Sequence, residues 1–269
     1  MVSNEFLAKE ILAHGAYLCV RRSNGADVRS AGAAGIPALA DRLGLRNEFD
    51  PGGTPPHGWI AFLRRQGGTP GDIADEDVLH ADGVVHVVSK RAETVEEFCA
   101  ETTRLLAPAA RVRVLSGVMR PKNYTGAAMN NWAYERQVVQ QPGPLMPNAF
   151  LVPLSKTAEW WRKDWMERHT YFLPRYDDGG RMTSEGHALA TAAGIPCLLR
   201  RTYRNATEPA VDGEYDFLTY FECSDDDVPT FHQICAALRD VKRNPEWRFV
   251  REGPTWHGRR LASWGELFS

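Results

Sequence analysis

The chain has 269 residues, and 32 Lys and Arg against 34 Asp and Glu leave a formal net charge of −2. So even a balance supplies no electrostatic pull toward nucleic acid or an anionic membrane surface. With 43% hydrophobic and 25% charged residues the composition excludes an intrinsically disordered chain, and no apolar run approaches the roughly 20 residues that span a bilayer.

The opening segment, MVSNEFLAKEILAHG, carries acids among its apolar residues and predicts no secretory leader. The five cysteines are odd in number and form no C-x-x-C pair, which argues against a disulfide framework and a structural zinc site. The expectation is a soluble, cytoplasmic protein.

In chain order, residues 16–22 and 59–65 read as strands and 84–90 as a clearer one. Thr94, with Glu97 three residues on, has the form of a capping box. It predicts a helix in which Val95, Phe98, Cys99, Thr102, Leu105 and Leu106 share a face and which Pro108 stops. Residues 111–114 alternate charged and apolar, as a half-buried strand does. The stretch 119–147 has little regular pattern and reads as a linker between an N-terminal part, 1–118, and a C-terminal part, 148–269.

In the C-terminal part, 149–154 predicts a strand and 157 to about 193 a long helical region with a loop. Residues 197–203 and 215–222 predict two strands, the second with Phe217, Thr219 and Phe221 on one face. Residues 227–241 form a helix whose Phe231, Ile234, Cys235, Leu238 and Val241 make one apolar stripe, and 247–251 a last strand. The tail, 253–269, is rich in Arg and Trp and predicts no element. The strand–helix–strand order at 84–118 recurs at 216–251 without sequence identity. This predicts an α+β fold of two ferredoxin-like βαββαβ halves whose antiparallel strands close into a β-barrel flanked by helices.

There is no G-x-x-x-x-G-K-S/T, G-x-G-x-x-G, G-x-S-x-G or H-E-x-x-H, so the common nucleotide, hydrolase and zincin signatures are missing. The residues left to carry chemistry are Lys156, Trp160, Trp161, His169, His187, Arg200, Glu222 and Glu246. Taken singly, each has a plain structural reading: a Trp pair packs a core, a lone His satisfies a local contact, an Arg in a strand faces solvent.

Their order, however, resembles a known family. Segment 150–161, FLVPLSKTAEWW, resembles the start of the C-terminal half of the chlorite dismutases, where a strand ends in a Lys followed four and five residues later by two Trp. His187 and Arg200, thirteen residues apart, resemble that family's proximal haem histidine and distal arginine. DFLTYFE at 216–222 resembles its characteristic strand, and Asn244-Pro245-Glu246 stands where the family places the carboxylate partner of the histidine. Lys122-Asn123-Tyr124 resembles the element that meets the haem propionates. The likeness covers roughly residues 120–254; the N-terminal half diverges.

The resemblance implies a haem-dependent oxidoreductase holding haem b, with His187 ligating the iron and Glu246 accepting the second ring N–H. Asn123, Tyr124, Lys156, Trp160 and Trp161 would contact the cofactor, and Arg200 would be catalytic. The reaction implied is decomposition of chlorite to chloride and O2, in a homo-oligomer that takes a small anionic oxidant. Other readings remain: a peroxidase- or oxygenase-like member of the same family, a non-catalytic haem carrier or sensor, and a haem-free protein sharing only the fold. Arg200 argues against the family's coproheme decarboxylases, which generally lack it. The interval from Lys156 to His187 exceeds the family's usual one, so an insertion lies near 164–183. Within it, Glu167-Arg168-His169-Thr170 imitates the ligand motif; choosing His169 would break the spacing to Arg200.

Overall fold

The computed structural model describes residues 11–23, 26–33, 35–47, 58–120 and 146–268; Asn123 and Tyr124 lie outside them. The first unit contains strands β1 (Ala13–Arg22), β2 (Leu45–Asn47), β3 (Gly58–Thr69), β4 (Gly83–Ser89) and β5 (Ala110–Met119). Helices Val28–Ala33 and Gly35–Arg42 follow β1, and helix Ala92–Leu106 links β4 to β5. The second unit contains β6 (Asn148–Lys156), a small hairpin of β7 (Arg175–Tyr176) and β8 (Met182–Ser184), then β9 (Leu199–Arg204), β10 (Phe217–Cys223), β11 (Val250–Glu252) and β12 (Thr255–Leu261).

The lateral order β5–β1–β4–β3 in the first unit is matched by β12–β6–β10–β9 in the second. Each is the arrangement of a βαββαβ unit with its helices on one face. The two units join twice, β3 to β12 over a long antiparallel ladder and β5 to β9 at Val118 and Arg204. Because β10 also pairs with β6, the eight strands make one closed circuit of pairings. Closure leaves none of these eight with an open edge along its whole length.

Three buried layers follow from strand alternation. The first unit's helices pack Ile36, Phe98 and Leu106 onto its sheet, and the helix Val228–Arg239 packs Phe231 and Ile234 onto the second. Inside the circuit, each of the eight strands contributes to a third cluster that includes Tyr17, Leu63, Val84, Leu115, Leu151, Tyr203, Tyr220 and Trp256. Strands such as β1 are therefore buried on both faces and read as a continuous apolar run.

Several sequence expectations are corrected. The first long helix starts at Ala92 with Arg91 at its cap, and Thr94 is buried inside it, so no capping box forms. The region 157–193 is three short helices, Ala158–Arg162, Trp165–Thr170 and Gly186–Ala190, interrupted by the β7–β8 hairpin. Val241 lies beyond the helix that ends at Arg239 and is exposed. Residues 245–249 form a 3-10 turn before β11. The tail holds β12, the strand that joins the units, followed by helix Trp264–Leu267, which buries Trp264 and Leu267 in the first unit's core.

One glycine is dictated by this packing. A Cβ at Gly15 on β1 would lie 2.3 Å from the Tyr203 ring. Gly15→Ala is expected to destabilise the chain by about 1–3 kcal/mol, the range for overpacking a filled core, read as a lower urea midpoint with unchanged slope.

Candidate functional site

The site is built where β6 ends. Lys156 is its last residue, and Asp216 fixes the backbone there by accepting from the Lys156 N–H at 2.6 Å and the Trp161 indole N–H at 3.3 Å. Thr157 caps the next helix by accepting from the Trp160 N–H, which turns the chain away from the sheet. The Lys156 side chain bends back over the Trp160 ring, 4.2 Å from its centroid, and donates to Glu246 at 2.5 Å.

Glu246 sits in the 3-10 turn Pro245–Phe249, held by Asn244, whose side-chain amide donates to the Leu238 carbonyl at 3.0 Å. Its second oxygen lies 2.9 Å from Nδ1 of His187. His187 is the second residue of the short helix Gly186–Ala190. Gly186 before it has φ +65°, and the Leu173 carbonyl stands 2.5 Å from where a Cβ would be, so the turn into that helix requires glycine. The helix is anchored to the preceding segment by His187 N–H to Tyr171 O and Ala188 N–H to Phe172 O.

Lys156, Glu246 and His187 are all buried, and the electrostatics follow from that. Burial pushes the Glu246 carboxyl up, but the Lys156 ammonium and the His187 ring outweigh it and hold it at about 2. Burial pushes the His187 ring below its usual value, against the pull of Glu246, and Arg200 and Lys156 add to the depression. The ring is therefore neutral beside an ionised carboxylate. A carboxylate only accepts, so Nδ1 carries the proton and Nε2 presents a bare lone pair. That Nε2 is buried and has no hydrogen-bond partner among the described residues.

His187 lines a cavity walled by Val152, Leu154, Leu198, Phe221, Ile234 and Leu238 between the second unit's sheet and its helices. Arg200 lines the same cavity from β9. In the ladder Arg200 stands opposite Phe221, another wall residue, whereas Arg201 stands opposite Tyr220, which points into the circuit. The two arginines thus face opposite sides of the strand.

The structure brings Lys156, Glu246 and His187 into one network and puts His187 and Arg200 on one cavity. Trp160 packs against Phe172 and Phe249, and Trp161 stacks on Phe217 with ring planes 13° apart; both stand beside the network and off the cavity wall. His169 lies in the helix Trp165–Thr170, on none of the cavity's walls. Glu222 points into the circuit, where Arg260 pairs with it. Sequence reasoning did not find Thr191, Thr219, Trp247, Arg239 and Glu252 on the wall; Arg239 chelates Glu252 at 3.0 and 3.1 Å. No spacing in one sequence links an arginine at a helix end to a glutamate on a short strand.

The donor set fits haem. A neutral imidazole with one N–H held by a carboxylate, on the wall of a cavity with many apolar residues, suits a haem iron. His187 would hold the iron and the apolar wall the macrocycle, with the Arg200 guanidinium on the same wall.

No protein-family model matches the chain. Solved structures do. A mutant chlorite dismutase from Candidatus Nitrospira defluvii is 18% identical with a TM-score of 0.67, over 99% of this chain and 98% of that one. The chlorite dismutase of the same organism in complex with imidazole is 21% identical at TM-score 0.67, over 98% and 97%. A further mutant, in complex with cyanide, is 20% identical at TM-score 0.66, over 100% and 98%. From end to end, this chain has the fold of the chlorite dismutase structures.

Proposed function

We propose that the chain is a haem-dependent oxidoreductase of the chlorite dismutase type. The observation that carries the reading is the buried His187, its Nδ1 on Glu246, its Nε2 without a hydrogen-bond partner among the described residues, and the cavity wall it shares with Arg200. Bound haem b would supply the iron at which the chlorine–oxygen bond of chlorite breaks, leading to chloride and O2. Glu246 orients the imidazole and makes it a stronger donor; Lys156 neutralises Glu246, which moderates that effect. Arg200 binds the anion by charge-assisted hydrogen bonds and steadies charge as it develops. The apolar wall excludes water, which strengthens both interactions.

We further assign haem to the second unit only, a homo-oligomeric state and a cytoplasmic location. Among the described residues no helix is long and apolar enough to cross a membrane.

The experiment is Arg200→Ala beside Arg201→Ala. Arg200→Ala is expected to retain haem, to weaken cyanide or fluoride binding about ten-fold or more, the worth of one charge-assisted bond, and to slow O2 release from chlorite by about 10²–10³. Arg201→Ala, facing the other way, is expected to leave anion affinity within about two-fold, the scatter of an uninvolved site. A larger effect at Arg201, or none at either position, overturns the assignment of Arg200.

A further inference from the structure

On the other face of the strands that wall the cavity lies a polar aromatic cluster with no part in the site described above. Tyr17 of β1, His86 of β4, Tyr203 of β9 and Tyr220 of β10 are essentially inaccessible to solvent. The His86 ring stacks on Tyr17 at 4.5 Å between centroids with planes 14° apart, and Tyr220 lies 5.6 Å from it at 29°. Its Nε2 lies 2.9 Å from the Tyr203 hydroxyl. Tyr17 stands 5.8 Å from Tyr203 and 5.5 Å from Tyr220, so the four rings form one contiguous stack-and-edge group. Space for it is made by backbone: Gly15, where any Cβ would collide with the Tyr203 ring, and Gly117, where a Cβ would lie 3.0 Å from the Tyr203 Cβ.

Three of these residues are phenols, the side chains most readily oxidised by one electron together with Trp, and one phenol has an imidazole nitrogen at hydrogen-bond distance. The cluster is also close to the cavity along the chain. Thr219 and Phe221 line the cavity, and Tyr220 between them points the opposite way. Each is about 3.8 Å from it along the Cα trace. Tyr203 likewise lies three residues after Arg200 on β9.

We propose that Tyr203 and His86 form a buried, reversible one-electron oxidation site that receives oxidising equivalents from the cavity through Tyr220. In the step, Tyr203 gives one electron to the oxidant and its phenolic proton to Nε2 of His86. The O–H bond breaks, an N–H bond forms, and the oxidant is reduced by one electron. A neutral phenoxyl then faces an imidazolium, and reduction returns the proton. Moving the proton with the electron avoids leaving a phenol cation in a solvent-free core. The imidazolium it creates stacks on the Tyr17 ring, whose face stabilises a cation. Delivery from the cavity rests on the haem reading, since an oxidised haem is the oxidant that would stand there; the oxidation site itself does not.

The test uses the full chain without haem and flash-generated ruthenium(III) tris(bipyridine) as a soluble one-electron oxidant, with freeze-trapped paramagnetic resonance as the readout. The wild type is expected to give a long-lived phenoxyl signal coupled to one exchangeable deuteron in deuterated water. Tyr203→Phe, which deletes only a hydroxyl, is expected to lose that signal. His86→Phe, which keeps the stack but removes the proton acceptor, is expected to lose its long life. Tyr17→Phe, whose hydroxyl has no hydrogen-bond partner among the described residues, is expected to keep it. An undiminished signal in Tyr203→Phe, or a wild-type radical without the deuteron coupling, overturns the proposal whether or not every variant folds.

A second arm loads the chain with haem and adds hydrogen peroxide. The same signal there supports delivery from the cavity; its absence, with the ruthenium signal intact, overturns delivery. If the chain takes up no haem, the haem reading fails and the ruthenium arm still decides the oxidation site.

Discussion

His187→Ala is expected to abolish stable haem binding. His187 is the one histidine on the described cavity wall, and nothing else there replaces it as a neutral nitrogen donor. Removing the hydrogen-bond partner of a metal-bound histidine typically costs about 10–100-fold in affinity, so Glu246→Gln is expected within that range and His187→Ala beyond it. The check is haem titration followed by the Soret band, with the apoprotein's circular dichroism confirming the fold. His169→Ala serves as the contrasting variant and is expected to bind haem as the wild type does. If His169→Ala lost haem and His187→Ala kept it, the histidine assignment would be reversed and the insertion misplaced. Exogenous imidazole should restore part of the His187→Ala binding, because the substitution leaves a space shaped for the ring.

The largest stability effect is expected inside the circuit of strands. Arg260 on β12 and Glu222 on β10 pair there with both side chains buried, and Arg260 also donates to the Tyr220 hydroxyl at 3.3 Å. Arg260→Ala strands the Glu222 carboxylate in the core and is expected to cost about 3–5 kcal/mol, measured as a fall in urea midpoint. Replacing both partners by apolar residues of similar volume, Arg260→Met with Glu222→Leu, is expected to recover most of that loss, since the desolvation of both charges is avoided. A single-variant loss below about 1 kcal/mol, the value of a solvated pair, would mean that water reaches these groups and the pair is not a core element.

Both expectations bear on how far residues reveal structure. The elements with strong local patterns were legible: β4, the helix over Ala92–Leu106, β10 and the helix over Val228–Arg239 lie within a few residues of where periodicity puts them, because one face of each is apolar at a constant interval. The association of His187 with Arg200 and with Glu246 came from the family resemblance; the structure puts His187 and Arg200 on one cavity wall and His187 Nδ1 2.9 Å from Glu246. What was missed is what depends on partners distant in the chain. β12 presents Trp256, Gly258 and Arg260 to the interior, a set with no apolar alternation. Gly258 is there because a Cβ would strike the Trp256 ring at 2.2 Å, and Arg260 because Glu222 neutralises it. Neither reason exists until β12 lies beside β3 and β6.

The same holds for the stretch between Lys156 and His187. Its short helices follow local caps at Thr157 and Asp164, which composition reveals, but their stacking under Trp160, Phe172 and Phe249 decides where His187 points. Local periodicity thus determines the two βαββαβ units, and the family resemblance singles out His187, Glu246 and Arg200. Closure of the strand circuit, the charge pair that makes a polar β12 admissible, and the aromatic cluster around His86 are decided only by tertiary structure, because burial of a polar group becomes affordable only when a specific distant partner satisfies it.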